Sequence, residues 1–141
     1  MRSFESIAII AAGISATFAQ TIELGTPKNG ENFFPGQEVT AQVIQPESMA
    51  SCIQVGIALA INNCANDICP APADALGSVL YAGSWTPENH QVGGSYQNFT
   101  VTLPSYLAEG PAIFTLTHLC LLGAAPYPFL EYRNATVNIV V

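Results

Sequence analysis

The most regular pattern of hydrophobic and polar positions lies in residues 52–61, which read Cys-Ile-Gln-Val-Gly-Ile-Ala-Leu-Ala-Ile. From Ile53 to Ile61 the odd positions are large and aliphatic, whereas the even positions are Gln, Gly or Ala. A period of two is typical of a β-strand with one buried face. Because the even face carries no charge, we expect this strand to lie in the middle of a sheet.

Six further segments alternate in the same way, with turn-forming residues between them. Pro35-Gly36 is the clearest turn, since proline presets φ and glycine tolerates the positive φ that follows. Beyond residue 19 no segment has a helical period. Strands spaced at roughly ten residues predict an all-β sandwich, and an eight-stranded barrel is the alternative. The six additional predicted strands are residues 21–24, 39–43, 78–82, 97–103, 112–122 and 131–141.

The first nineteen residues have the pattern of a secretory signal peptide. Arg2 supplies the positive charge, residues 7–14 are apolar, and Thr17 and Ala19 precede a plausible cleavage site at Gln20. A buried N-terminal helix is the competing interpretation. The apolar run is shorter than the ~20 residues that cross a membrane. We therefore expect a single secreted domain, residues 20–141, located outside the cell or in a cell wall.

Charge excludes two classes of partner. Lys28 and Arg133 are the only basic residues of the expected mature domain, and the whole chain has a net charge of −7. Two cations cannot neutralise a row of phosphates, so neither nucleic acid nor an anionic membrane surface is an expected partner.

Two N-glycosylation sequons lie in the expected mature domain, at Asn98-Phe99-Thr100 and Asn134-Ala135-Thr136. Each asparagine occupies the polar face of its predicted strand, where a glycan would not disturb the core. We therefore predict that Asn98 and Asn134 are glycosylated.

The four cysteines, in an exported protein, predict two disulfide bonds. Their positions alone allow three pairings. A zinc site is the competing interpretation, but the spacing of Cys64 and Cys69 is wider than C-x-x-C and no histidine lies nearby. The four residues are Cys52, Cys64, Cys69 and Cys120.

Two regions resemble known extracellular domains. Residues 22–39, with Thr26-Pro27-Lys28-Asn29-Gly30 and Phe34-Pro35-Gly36-Gln37, resemble the A–B region of immunoglobulin-like and fibronectin III-like domains. Residues 103–116 resemble their E–F corner. The chain as a whole resembles small secreted fungal proteins with such a sandwich, distantly including cell-wall Kre9/Knh1-like domains. The resemblance implies an immunoglobulin-like antiparallel β-sandwich of about seven strands, with a role at the cell wall and without a known catalytic site.

The resemblance also implies a disulfide pairing. In an immunoglobulin-like plan the strand at 52–61 pairs antiparallel with 112–122, which brings Cys52 near Cys120 and leaves Cys64 for Cys69. Cys52 is, however, out of phase with Ile53 and Val55. A β-bulge or a frayed strand start would reconcile the two observations.

The residues that catalysis requires are few. His118 is in phase with apolar neighbours and is expected to be buried and hydrogen-bonded, whereas His90 is expected to be a solvated loop residue. Neither has partners at metal-ligand spacing, and Gln20 at the expected mature N-terminus leaves a copper site built on an N-terminal histidine unsupported. We therefore predict no catalytic residue, no metal, no cofactor and no enzymatic activity. Every candidate carboxylate is expected to be solvated: Glu31, Glu38, Glu47, Asp67, Asp74, Glu88, Glu109 and Glu131.

Aromatic residues near loops offer a possible ligand contact. Trp85, Tyr81, Tyr96 and Tyr127 could stack on sugar rings or anchor a protein, although closing the ends of the sandwich is the simpler role. The leading hypothesis is a secreted, glycosylated structural or interaction protein of a fungal cell surface or extracellular matrix, in contact with polysaccharide or protein. The alternatives are a carbohydrate-binding module and a small hydrolase or metal-dependent oxidase. The sequence does not give an oligomeric state.

Overall fold

The computed structural model describes residues 21–47 and 51–141. The predicted signal peptide and its cleavage site lie outside the described residues. Within them every regular element is a β-strand, as predicted, but nine strands form rather than seven. The strands are β1 (Glu23–Thr26), β2 (Asn32–Phe33), β3 (Glu38–Gln45), β4 (Cys52–Asn63), β5 (Ser78–Gly83), β6 (Glu88–His90), β7 (Gly94–Thr102), β8 (Gly110–Leu122) and β9 (Tyr127–Ile139).

The nine strands form two sheets. One has the order β1-β3-β7-β6 and the other has the order β2-β9-β8-β4-β5. All pairings are antiparallel except that of β2 with β9. As expected, the strand that begins at Cys52 lies between two neighbours, β8 and β5.

Both sheets contribute to one apolar core. The four-stranded sheet supplies the alternating residues of β3 and β7, including Val43 and Phe99. The five-stranded sheet supplies Leu59 from β4, Phe114 from β8 and Val137 from β9. The two sheets are therefore packed face to face in a sandwich-like arrangement.

Three strand predictions need correction. β2 and β6 are not among the predicted strands, because they contain only two and three residues and are too short to show a period of two. β9 begins at Tyr127 rather than at 131. Pro128 is tolerated because no strand of the described residues pairs with β9 on its other side at that point, and proline is accepted in edge positions.

The turn at Pro35-Gly36 is confirmed. Gly36 has a φ of 79°, and the backbone N–H of Gln37 donates to the carbonyl of Phe34 at 3.1 Å. A side chain at position 36 would be strained by this φ. The turn leads directly into β3, whose Val39 is the first buried residue of that strand.

A β-bulge divides β4 into two parts. Gln54 pairs with Cys120 and Gly56 pairs with Leu119, so Val55 has no partner of its own in β8. The extra residue reverses the phase of the side chains. After the bulge Ile57 is buried, as predicted, but before it Ile53 and Val55 are 55% and 51% exposed. The prediction that those two residues face the core is wrong.

Candidate functional site

Both disulfide bonds have the expected pairing. Cys52 is bonded to Cys120, and Cys64 is bonded to Cys69. The bulge accounts for the first bond, because it turns Cys52 to the inner face of the sheet beside Cys120. All four cysteines are consumed, so the zinc alternative has no thiolate to supply a ligand.

A buried polar cluster lies next to this disulfide, on the inner face of the five-stranded sheet. His118 of β8 is fully buried, and its two ring nitrogens contact residues from the neighbouring strands. Nδ1 lies 2.9 Å from Oε1 of Glu131 on β9, and Nε2 lies 2.5 Å from Oε1 of Gln54 on β4. The histidine thus connects three strands. It is buried and hydrogen-bonded, as predicted.

The direction of the hydrogen bond between His118 and Gln54 follows from Trp85. Its indole Nε1–H can only donate, and it lies 2.8 Å from Oε1 of Gln54. That oxygen therefore accepts, so Nε2 of His118 must donate to it. The indole also packs edge-on against the imidazole, with ring centroids 5.7 Å apart.

Glu131 is the second centre of the cluster and corrects a prediction. We expected a solvated carboxylate, but Glu131 is buried and fully engaged. Its Oε1 accepts from Thr21 Oγ1 and contacts His118, and its Oε2 accepts from Arg133 Nη2 at 3.1 Å. Arg133 also donates from Nη1 to the carbonyl of Tyr132 at 2.6 Å.

This arrangement is suited to holding strands rather than to catalysis. His118 has no solvent-exposed surface, and both ring nitrogens are occupied. A ring nitrogen of His118 and the sulfurs of Cys52 and Cys120 lie within 4.8 Å of one another, the one such grouping among residues 21–47 and 51–141. Because the two sulfurs are bonded to each other, they do not form a metal site.

The four aromatic residues predicted as ligand contacts do not form a common surface. Trp85 is only 4% exposed, so its ring presents no face to a ligand. Tyr81 is half-buried against Phe99 at a centroid distance of 4.7 Å. Tyr96 is half-buried on the outer face of β7, whereas Tyr127 is exposed at the start of β9. Trp85 therefore has the role of closing the core, the simpler of the two that the sequence allowed.

An exposed apolar surface does occur, and it lies on the outer face of the five-stranded sheet. Ile53 pairs with Leu121, which in turn pairs with Pro128. In the adjacent row Leu119 pairs with Leu130, which is 53% exposed. With the exposed Val55 at the bulge, these side chains form one continuous surface, which we call the outer apolar patch: Ile53, Val55, Leu119, Leu121, Pro128 and Leu130.

The sequence contains one signal for this patch, the phase of Cys52. A cysteine that must face inward beside Ile53 requires that Ile53 face outward. Aliphatic side chains that are exposed on β4 and β9 and half-exposed on β8 between them form the kind of apolar surface that often marks an interaction site.

The remaining concave features are shallow. One cleft of about 470 Å³ lies between the end of β3 and the start of β7. A second, of about 320 Å³, borders Asn98. Both predicted glycosylation sites, Asn98 and Asn134, are exposed. The described residues contain no helix long and apolar enough to cross a membrane.

The fold and these sites define a small all-β domain with two disulfides, a closed polar cluster and an exposed apolar surface. Two disulfides are consistent with an extracellular protein. The chain belongs to the Nis1 family, whose family model matches residues 17–138. No curated protein matches the chain. The family match does not bear on the resemblance to Kre9/Knh1-like domains, which stays a prediction.

Proposed function

We propose that this Nis1-family chain is a secreted, glycosylated interaction protein that binds another protein through the outer apolar patch. The observation that carries the proposal is the exposure of Ile53, Val55 and Leu130 on one sheet face. Burial of apolar area is the main favourable contribution to association, at about 25 cal/mol per Å² before the costs of binding are subtracted. The described part of the patch contains no charged side chain that would have to be desolvated.

The chemistry of the patch favours a protein partner over a polysaccharide. Sugars are bound mainly by exposed aromatic rings together with hydrogen-bonding groups, whereas this patch is entirely aliphatic. The burial of Trp85 weakens the alternative of a carbohydrate-binding module. Because the chain has a net charge of −7, electrostatic complementarity favours a partner whose apolar surface is surrounded by basic residues.

We further propose an immunoglobulin-like sandwich and a non-catalytic role. The order β1-β3-β7-β6 corresponds to strands A-B-E-D of the immunoglobulin plan, and the neighbours β9-β8-β4 correspond to G-F-C. The engagement of both ring nitrogens of His118 supports a structural role for that residue. Location at a fungal cell surface or in an extracellular matrix belongs to the same proposal.

Retention experiments with a patch variant test the function. The purified mature chain is immobilised and incubated with extracellular proteins and, separately, with chitin, β-glucan and cellulose. We expect a protein to be retained, and its affinity, measured with both components purified, to fall at least tenfold in Ile53→Ser/Leu130→Ser. Loss of two aliphatic contacts at an interface centre has effects of this size.

The matched control is Thr40→Ser/Thr102→Ser, which changes two exposed residues on the outer face of the other sheet and leaves both sequons intact. It should bind as the unmodified protein does. Equal affinity of the patch variant, or retention on a polysaccharide in place of a protein, would contradict the proposal.

A further inference from the structure

The two sequons share a longer pattern than the three residues that define them. Tyr96-Gln97-Asn98-Phe99-Thr100 and Tyr132-Arg133-Asn134-Ala135-Thr136 both read Tyr-x-Asn-x-Thr. Each segment lies within one strand, β7 or β9. Since side chains two residues apart point to the same face, the tyrosine, asparagine and threonine of each segment form one row.

Both rows lie on the outside of the protein, one on each sheet. In β7 the intervening Phe99 is buried, while Asn98 and Thr100 are exposed. In β9 the intervening Ala135 is buried, while Asn134 and Thr136 are exposed. The rise of a strand, about 3.3 Å per residue, places each tyrosine about 7 Å from its asparagine.

The tyrosine beside Asn98 is held in a fixed orientation. Its ring stacks on the imidazole of His90, with centroids 3.7 Å apart and planes 8° from parallel. β6 begins at Glu88, which pairs with Tyr96, so no strand residue of β6 stands opposite Asn98. A cleft of about 320 Å³ occupies this position, lined by Thr86, Glu88, His90, Tyr96, Gln97 and Asn98.

The row on β9 has a similar free side. β2 pairs with β9 only at Asn138 and Ile139, so no strand of the described chain lies beside Asn134 on that edge. On the other edge Asn134 pairs with Thr115, and Tyr132 pairs with Thr117. Tyr132 is half-buried.

We infer that Asn98 and Asn134 each carry an N-glycan whose first N-acetylglucosamine packs against the tyrosine two residues earlier. This inference rests on the glycosylated, secreted state in the proposed function. The C–H face of the sugar ring is apolar, and an aromatic face that is already oriented gains this contact at little entropic cost. The two tyrosines therefore form glycan-packing sites that stabilise the folded chain.

The covalent step is the usual transfer to asparagine. Nδ2 of the side-chain amide attacks C1 of an oligosaccharide carried on a lipid diphosphate. The C1–N bond forms and the C1–O bond to phosphate breaks. Nδ2 loses one proton, and the lipid diphosphate leaves.

Thermal unfolding of defined glycoforms tests the inference. The chain is secreted from a eukaryotic host, and occupancy at each asparagine is measured by mass spectrometry. One sample is trimmed enzymatically to a single N-acetylglucosamine, and another is fully deglycosylated. We expect the trimmed form to keep the Tm of the intact glycoprotein, and complete removal to lower the Tm by about 2–4 °C per site.

The tyrosines are then tested by substitution. In Tyr96→Ala and Tyr132→Ala the Tm difference between glycosylated and fully deglycosylated protein should disappear for the site concerned, whereas Tyr→Phe should retain it. Tyr127→Ala is the control, because Tyr127 is exposed on β9 but does not belong to either row. It should leave both differences unchanged.

Two results would overturn the inference, and they have different meanings. Unoccupied asparagines would remove the glycosylated state from the proposed function as well. Occupied asparagines whose stabilising effect persists in the Tyr→Ala variants would leave glycosylation intact and refute the packing on tyrosine alone. Protein binding by the outer apolar patch is measured separately and depends on neither result.

Discussion

The two parts of β4 have nearly the same sequence pattern and opposite exposures. After the bulge Leu59 and Ile61 are fully buried in the core. Before the bulge Ile53 and Val55 are more than half exposed, and the intervening Gln54 faces inward. The alternation of aliphatic residues therefore gives the period of the strand but does not say which part faces the core.

The difference is produced by one extra residue, Val55, at the bulge. The same bulge generates both the buried polar cluster and the outer apolar patch. Turning Gln54 inward gives His118 and Trp85 their common hydrogen-bond acceptor. Turning Ile53 outward exposes the patch. The closed polar cluster and the proposed interaction surface are thus two faces of the same short segment.

Single-residue deletions provide the strongest test of this comparison. Deletion of Val55 removes the extra residue and leaves the pairings of Gln54 and Gly56 with β8 unchanged. We expect this variant to fold with both disulfides and to lose no more than about 2 kcal/mol of stability. Deletion of Ala58 should prevent folding, because it shifts one part of β4 to the wrong face.

Secretion yield, disulfide mapping and chemical unfolding distinguish the two deletions. If removal of Val55 were as damaging as removal of Ala58, the bulge would have a structural role beyond the change of phase.

Alanine substitutions on either side of the bulge should differ several-fold in their effect. Leu59→Ala creates a cavity in the core and should lower the free energy of unfolding by about 3 kcal/mol. Ile53→Ala removes an exposed side chain and should change it by less than about 1 kcal/mol. Urea unfolding at constant pH measures both values. Similar losses in the two variants would mean that the patch is buried in solution, for example by self-association.

Substitution of Gln54, the polar residue of this segment, should lower the free energy of unfolding less than substitution of the core residue Leu59. Gln54→Ala leaves Nε1 of Trp85 and Nε2 of His118 without their acceptor, which should cost about 2 kcal/mol. Gln42→Ala is the control, since Gln42 is half-buried on the outer face of β3 and should change stability by about 0.5 kcal/mol or less. The same unfolding assay applies. A loss for Gln54→Ala no greater than that for the control would contradict the proposed role of its oxygen.

Much of the fold could be predicted from local patterns. The all-β class, the central position of β4, its pairing with β8 and both disulfides follow from alternation combined with the immunoglobulin-like plan. The burial of His118 followed from its phase with Phe114 and Leu116. These features depend on long strands, in which a period of two is repeated several times.

The remaining features depend on contacts that a single sequence does not display. β2 and β6 are too short to have a period and are defined only by their neighbours. The burial of Glu131 depends on Arg133, Thr21 and His118, of which only Arg133 is close in sequence. The outer apolar patch was not predicted, because large aliphatic residues alternate on both sides of the bulge. The change of phase is therefore not accompanied by a change in residue type.

Arg133 has a consequence for assembly as well as for the cluster. Within residues 21–47 and 51–141, no strand other than the short β2 pairs with β9 on the side away from β8. Such an edge invites another chain to add a strand. Pro128 offers no N–H to such a strand, and the guanidinium of Arg133 already occupies the carbonyl of Tyr132. The exposed edge is therefore a poor template for intermolecular sheets. Addition of strands from further copies of the chain along this edge is thereby disfavoured.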